Sequence, residues 1–358
     1  MHSGRWKRAF ALVVGGGLVL SAAACGEAPD EEESPAAAGD YRACMVTDIG
    51  GIDDRSFNTS AWAGLEGAAA AESDIEIDYV ASGAEADYIP NLEGYVQEDC
   101  DFILAVGGLM FSQTQQVAAD HPERQFGIVD ADVGEPNVYP MQFDTAQAAF
   151  LAGYLAAGYT TSGIVATYGG EKIGPVTIFM DGFADGVAHY NDVKDADVEV
   201  LGWDKDAQDG SFTDSFTDQG AGRALSDAFI AQGADVVMPV AGGAGLGTAD
   251  GALETEEYAV IWVDVDGCES AQQYCSTFLT TVVKNMPMAV EGAVLEAYGS
   301  DDLATGEFYG TLENDGVSIA PYHEFEDEID DELKAEVDQL RQDIIDGTIV
   351  VESPAQPR

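Results

Sequence analysis

Residues Cys100–Gly108 read CDFILAVGG, and residues Ala234–Gly243 read ADVVMPVAGG. Each is an apolar run closing on a glycine pair. Further along, a second apolar run closes on an aspartate, FGIVD at Phe126–Asp130 and VIWVD at Val260–Asp264. Earlier marks are Asp48-Ile49-Gly50 and Asp181-Gly182. Asp48 to Gly108 is 60 residues and Asp181 to Gly243 is 62, while Gly108 to Asp130 is 22 and Gly243 to Asp264 is 21. Short apolar runs bounded by Gly or Asp read as strands buried on both faces, as in parallel sheets. Three marks repeated in one order imply two similar doubly wound α/β lobes.

The chain around these marks alternates strand-like and Ala-rich helical segments, the pattern of βαβ units. Predicted strands are 44–47, 75–80, 102–106, 126–129 and 138–143, then 176–180, 198–201, 236–240, 260–263 and 277–280. Predicted helices include 60–71, 113–120, 145–159, 182–190, 221–232 and 289–298. In open α/β sheets ligands sit beyond the carboxyl ends of the strands, where the Asp and Gly-Gly marks fall. Two lobes facing each other would line one cleft with both sets.

Composition narrows the partners. The 358 residues carry 66 Asp plus Glu against 14 Lys plus Arg, a formal charge of −52, yet 46% are hydrophobic. That supplies a core and excludes an acidic disordered chain. So negative a surface repels nucleic acid and anionic lipid headgroups. With only six lysines, the charge reads as a general surface property suited to high salt.

Residues 1–24 hold no acid. Arg5, Lys7 and Arg8 precede an apolar run from Ala9 to Leu20, and Ser21-Ala22-Ala23-Ala24 leads into Cys25. The run is short for a membrane span and reads as a secretory signal. Small residues before a Cys resemble a lipoprotein processing site, with lipid on Cys25 as the expected membrane attachment. Residues 25–40, EAPDEEESPAAAG at their centre, read as a self-repelling tether. Removing residues 1–24 takes away three bases and no acids, moving the formal charge to −55. In an oxidising compartment Cys268 and Cys275 are candidates for a disulfide. Cys44 and Cys100 lie beside strands, where buried thiols are the commoner outcome, and their pairing stays open.

Enzyme signatures are missing. Histidine occurs only at 2, 121, 189 and 323, with no HExxH, no GxSxG elbow and no Walker lysine. Gly242–Gly247 breaks the dinucleotide register at Thr248, and Asp204–Gly210 breaks the calcium-loop register at Asp209. No metal, cofactor or catalytic residue is expected.

The run Thr47–Trp62, TDIGGIDDRSFNTSAW, resembles the signature of the basic membrane protein family. The likeness continues through FLAGYLAAGYTTSGIVATYGG, PVTIFMDGFADGV, WVDVDG and TTVVKNMPMAV, across roughly residues 42–350. These are lipoprotein substrate-binding components of ABC importers, and characterised members include purine nucleoside receptors. The resemblance implies a type I periplasmic-binding-protein fold, two Rossmann-like lobes joined by a hinge. It implies discontinuous lobes, 41–145 with 267–320 and 146–266 with 321–352. It also implies an extracytoplasmic receptor whose partners are a nucleoside, an ABC permease and its ATPase.

Carried over by position, Asn58 would read the base edge and Asp48 would add a second polar contact, with Phe57 or Trp62 against the ring face. Met238 stands where relatives often place an aromatic in the strand before the Gly-Gly, and Gly243 would admit backbone N–H groups to the ligand. Asp130 is the cleft acid of the first lobe, and Asp264 with Lys284 would grip the ribose hydroxyls. Lys284 is the only Lys or Arg between Ala224 and Glu332. Ordinary roles compete at each position: Asn58 as a helix cap, Asp48 as a turn carboxylate, Phe57 and Trp62 as core, Lys284 as surface. A sugar or signalling-molecule receptor on the same fold is the alternative function, and an exported nucleoside hydrolase a more distant one.

Overall fold

The computed structural model describes residues 41–300 and 302–357. The leader, Cys25 and the acidic tether lie outside the described residues. The first part runs β1 (Tyr41–Ile49), α1 (Phe57–Ala71), β2 (Ile75–Ser82), α2 (Tyr88–Gln97), β3 (Phe102–Val106), α3 (Phe111–Asp120), β4 (Gln125–Val129) and β5 (Val138–Phe143). Next come α4 (Thr145–Tyr159), β6 (Ile164–Gly169), α5 (Gly174–Lys194), β7 (Glu199–Leu201), and a small hairpin of β8 (Trp203–Asp204) and β9 (Asp209–Gly210). They are followed by α6 (Gln219–Ile230), β10 (Val236–Val240), α7 (Leu246–Thr255), β11 (Ala259–Asp264), α8 (Gly267–Ser270) and β12 (Phe278–Lys284). The last elements are α9 (Met286–Tyr298), β13 (Phe308–Gly310), β14 (Val317–Ile319) and α10 (Asp331–Ile345).

The strands form two six-stranded sheets, ordered β13-β5-β4-β3-β1-β2 and β14-β12-β11-β10-β6-β7. Read in parallel, the two orders match strand for strand, which is the two-fold plan in space. They differ at one edge, where β13 joins β5 parallel and β14 joins β12 antiparallel. Strands such as FILAV and VVMPV are buried along their whole length, because helices cover both faces. One apolar cluster takes in α1 and α9, which pack together on the first sheet, and α4 and α5, which pack together on the second. Separate clusters fill the space under α2 and α3 on one lobe and under α6 and α7 on the other.

Three expectations change here. The stretch Val176–Met180 is not a strand; it lies inside α5, and the strand equivalent to β1 is β6. Asp181 therefore caps no strand. It is buried in α5 and accepts from Trp203 Nε1 at 2.9 Å, Gln208 Nε2 at 2.8 Å and Ser353 Oγ at 2.6 Å. Second, β12 belongs to the second sheet, so the chain returns to the first lobe at Asn285 rather than near 266, and leaves it between Gly310 and Val317 rather than near 320. The three crossings meet: Asp144 N donates to Gly310 O at 2.8 Å, and Asn285 N to Gly316 O at 2.9 Å. Third, Cys44 and Cys100 are joined in a disulfide, not left as thiols, tying β1 to the approach of β3. Cys268 and Cys275 are joined as well.

Candidate functional site

The carboxyl ends of the strands meet in one cleft of about 570 Å³, its mouth included, lined from both lobes. Asp48 is the penultimate residue of β1, and Gly107-Gly108 follows β3. Asp130 follows β4, Gly242-Gly243 follows β10, Asp264 ends β11 and Lys284 ends β12. Asp130 and Asp264 occupy corresponding positions and share a left-handed backbone, φ 66° and 74°. Asp tolerates that region better than most residues, and it turns both carboxylates into the cleft. At Gly107 a Cβ would stand 2.7 Å from Asp48 Oδ2 and 3.3 Å from the Phe57 ring, so the close approach of β3 to these two side chains requires glycine.

At one end, Asn58 Nδ2 donates to Asp48 Oδ1 at 2.8 Å and to Asp54 Oδ2 at 3.1 Å. Asn58 Oδ1 is buried with no partner, an acceptor left open. Burial pushes the Asp48 carboxyl up to about 8, against the Asn58 hydrogen bond and with help from the neighbouring Asp54, Asp130 and Asp264. The shift favours the protonated acid, which offers a donor beside the Asn58 acceptor.

At the other end, Lys284 Nζ, 2% exposed, donates to Asp130 Oδ2 at 2.7 Å and lies 3.9 Å from Asp264 Oδ1. One ammonium from the second lobe thus sits between a carboxylate of each lobe. Burial raises both carboxyls above the ordinary range, with Lys284 opposing. The ammonium also lies 5.0 Å from the Phe57 ring centroid and 5.2 Å from that of Phe179, within cation–π reach.

Seven of the nine candidate ligand residues line this cleft: Asp48, Phe57, Asn58, Asp130, Gly243, Asp264 and Lys284. Met238 and Trp62 do not. Met238 is fully buried inside β10, and Trp62 packs edge-on against Tyr79, ring centroids 5.1 Å apart. The aromatic faces beyond Phe57 come instead from Phe179 and Phe216, which sequence reasoning missed, as it missed Asp54. Asp54 lay in the quoted DDRSFN run. Phe216 lies in the polar stretch SFTDSFTD, which carries no periodicity. Among the described residues, Asp266, Cys268 and His323 place ligand-type atoms within 4.8 Å of one another. However, Cys268 is spent in a disulfide, and His323 Nε2 is bonded to Asp266 Oδ2 at 2.7 Å.

Two α/β lobes with a three-stranded crossing and a polar, aromatic-lined cleft at the strand ends define a two-lobed solute-binding protein. Residues 42–354 match the family model for PnrA-like ABC transporter substrate-binding proteins, and the chain belongs to that family. A CD4+ T-cell-stimulating antigen of Listeria innocua is 30% identical over 98% of this chain and 99% of its own. The ABC transporter nucleoside-binding protein BmpA of Lactococcus lactis is 29% identical over 88% of this chain and 90% of its own. A solute-binding protein of an ABC transporter system from Aeropyrum pernix K1 superposes with a TM-score of 0.78 at 22% identity, covering 88% of this chain and 94% of that one. The protein is a substrate-binding component of an ABC transporter, not an enzyme, and such components work outside the cytoplasm. No described helix is long and apolar enough to cross a membrane.

Proposed function

We propose that the cleft binds a nucleoside, a purine nucleoside in the first instance, for delivery to an ABC permease and its ATPase, with lipid on Cys25 holding the receptor at the cell membrane. The observation that carries the ligand class is the two-ended cleft. The open Asn58 acceptor beside protonated Asp48 suits the mixed donor and acceptor edge of a base, and the faces of Phe57 and Phe216 suit its ring. Asp130, Lys284 and Asp264 suit a vicinal diol, whose hydroxyls both donate and accept. The relative named for nucleoside binding supports the same class.

Calorimetry with guanosine, adenosine and inosine tests it. Saturable binding is expected, reduced by about 100-fold or more in Asp264→Ala, which strips a buried charge cluster of one member. Heat and thermal shift absent for every nucleoside would sink the proposal. Free ribose binding as tightly as any nucleoside would favour a sugar receptor instead.

A further inference from the structure

Ser56 stands where a helix ordinarily takes a side-chain cap, yet its hydroxyl caps nothing in α1. Asp54 has taken that task. Its Oδ1 accepts from Ser56 N at 3.0 Å and Thr59 N at 3.1 Å, and its Oδ2 from Asn58 N at 2.7 Å. The Ser56 hydroxyl is thereby released. It donates to Asp264 Oδ2 at 2.6 Å, across the seam between the lobes, with the Val263 carbonyl at 3.3 Å. Both side chains are buried, and Ser56 itself does not line the cleft.

The contact decides which carboxylate oxygen is left for a ligand. With Oδ2 engaged by Ser56, Oδ1 is the oxygen on the Lys284 side, and at 3.9 Å it is too far from Nζ for a hydrogen bond. Lys284 gives its short bond to Asp130 Oδ2 instead. Asp264 Oδ1 and Asp130 Oδ1 are therefore two acceptors flanking one ammonium, the set that adjacent hydroxyls fill by donating outward and accepting from between. Without Ser56 the Asp264 carboxylate is free to turn and pair directly with Lys284, closing the acceptor that a hydroxyl needs.

We propose that Ser56 is a positioning residue that sets specificity for the sugar diol, holding Asp264 from the opposite lobe without touching the ligand. This rests on the nucleoside reading of the cleft. The test is calorimetry of wild type, Ser56→Ala and Ser56→Thr with guanosine, adenosine and inosine, each beside its 2′,3′-dideoxy analogue. In wild type the diol form binds more tightly. Ser56→Ala cuts that preference about tenfold, the value of one charge-assisted hydrogen bond, while the ranking among the three bases stays. Ser56→Thr, which keeps the hydroxyl, restores the preference. Should Ser56→Ala fail to fold by thermal melt, Ser56→Cys replaces the strong donor with a weak one of similar size and is read the same way. Equal weakening of diol and dideoxy ligands would make Ser56 merely structural and overturn the assignment. A wild type that binds no nucleoside overturns the nucleoside reading itself, a different and separately visible result.

Discussion

Asp48 shows how one side chain links burial to function. Its carboxyl titrates near 8 in the folded protein, against an ordinary value of 3.8. Below 3.8 both folded and unfolded chains hold the proton. Between the two values only the folded chain does, so folding takes up a proton and stability falls as pH rises. Asp54, Asp130, Asp144 and Asp264 are raised by burial as well, so they act in the same direction. Ligand-free protein should therefore melt several degrees higher at pH 5 than at pH 8. Asp48→Asn, which mimics the protonated acid, should flatten the slope without abolishing it. Melts run in molar salt remove the surface contribution, and a slope identical in wild type and Asp48→Asn would mean that Asp48 is not held protonated.

At the level of elements, α4 and α5 pack through glycine. A Cβ on Gly186 would come 2.0 Å from Phe150 O, one on Gly182 2.3 Å from Ala146 O, and one on Gly153 2.1 Å from Phe183 O. Backbone atoms cannot swing aside, so Gly186→Ala must push the helices apart. A loss of about 3 kcal/mol is expected, at the upper end for overpacking. Chemical denaturation measures it, and a change within about 0.5 kcal/mol, the range of a neutral surface substitution, would contradict the packing. The same glycines explain what the sequence left hidden. PVTIFMDGFADGV combines β-branched and aromatic residues with two apparent breakers, the profile of a strand and turn, whereas the glycines mark contact with α4 and Pro175 opens the helix. The runs FILAV and VVMPV were legible because burial on both faces leaves no polar position. Even there Pro239 has a consequence that composition conceals. The β10–β11 ladder holds only Val236 and Val237 and ends before the residue with no N–H. The cleft was legible at Asp130, Asp264 and Lys284, each at a strand end. It was not legible at Phe179 and Phe216, which reach it from a helix and a loop whose positions only tertiary packing fixes.

Over the whole molecule, charge and site separate. Nine of the ten described Lys and Arg residues engage a carboxylate, and Arg55 alone bonds an amide, Gln273 Oε1 at 3.1 Å. With 66 acids against 14 bases, pairing cannot neutralise the surface, and the folded chain holds unpaired carboxylates close together. Salt acts on both terms. It weakens the exposed pairs, each worth roughly 0–1 kcal/mol, and it screens the repulsion among the far more numerous unpaired acids, so net stabilisation is expected. Screening length falls from about 10 Å at 0.1 M to about 3 Å at 1 M. Melting temperature should therefore rise steeply over that range in sodium or potassium chloride and then flatten. A rise that stays linear to several molar would mean salting-out of apolar surface rather than screening, and a flat or falling curve would reject the account of the charge. The Lys284–Asp130 pair is buried, out of reach of counterions, so ligand affinity should change little over the same range. Affinity falling in step with rising salt would show instead that surface charge enters the binding site.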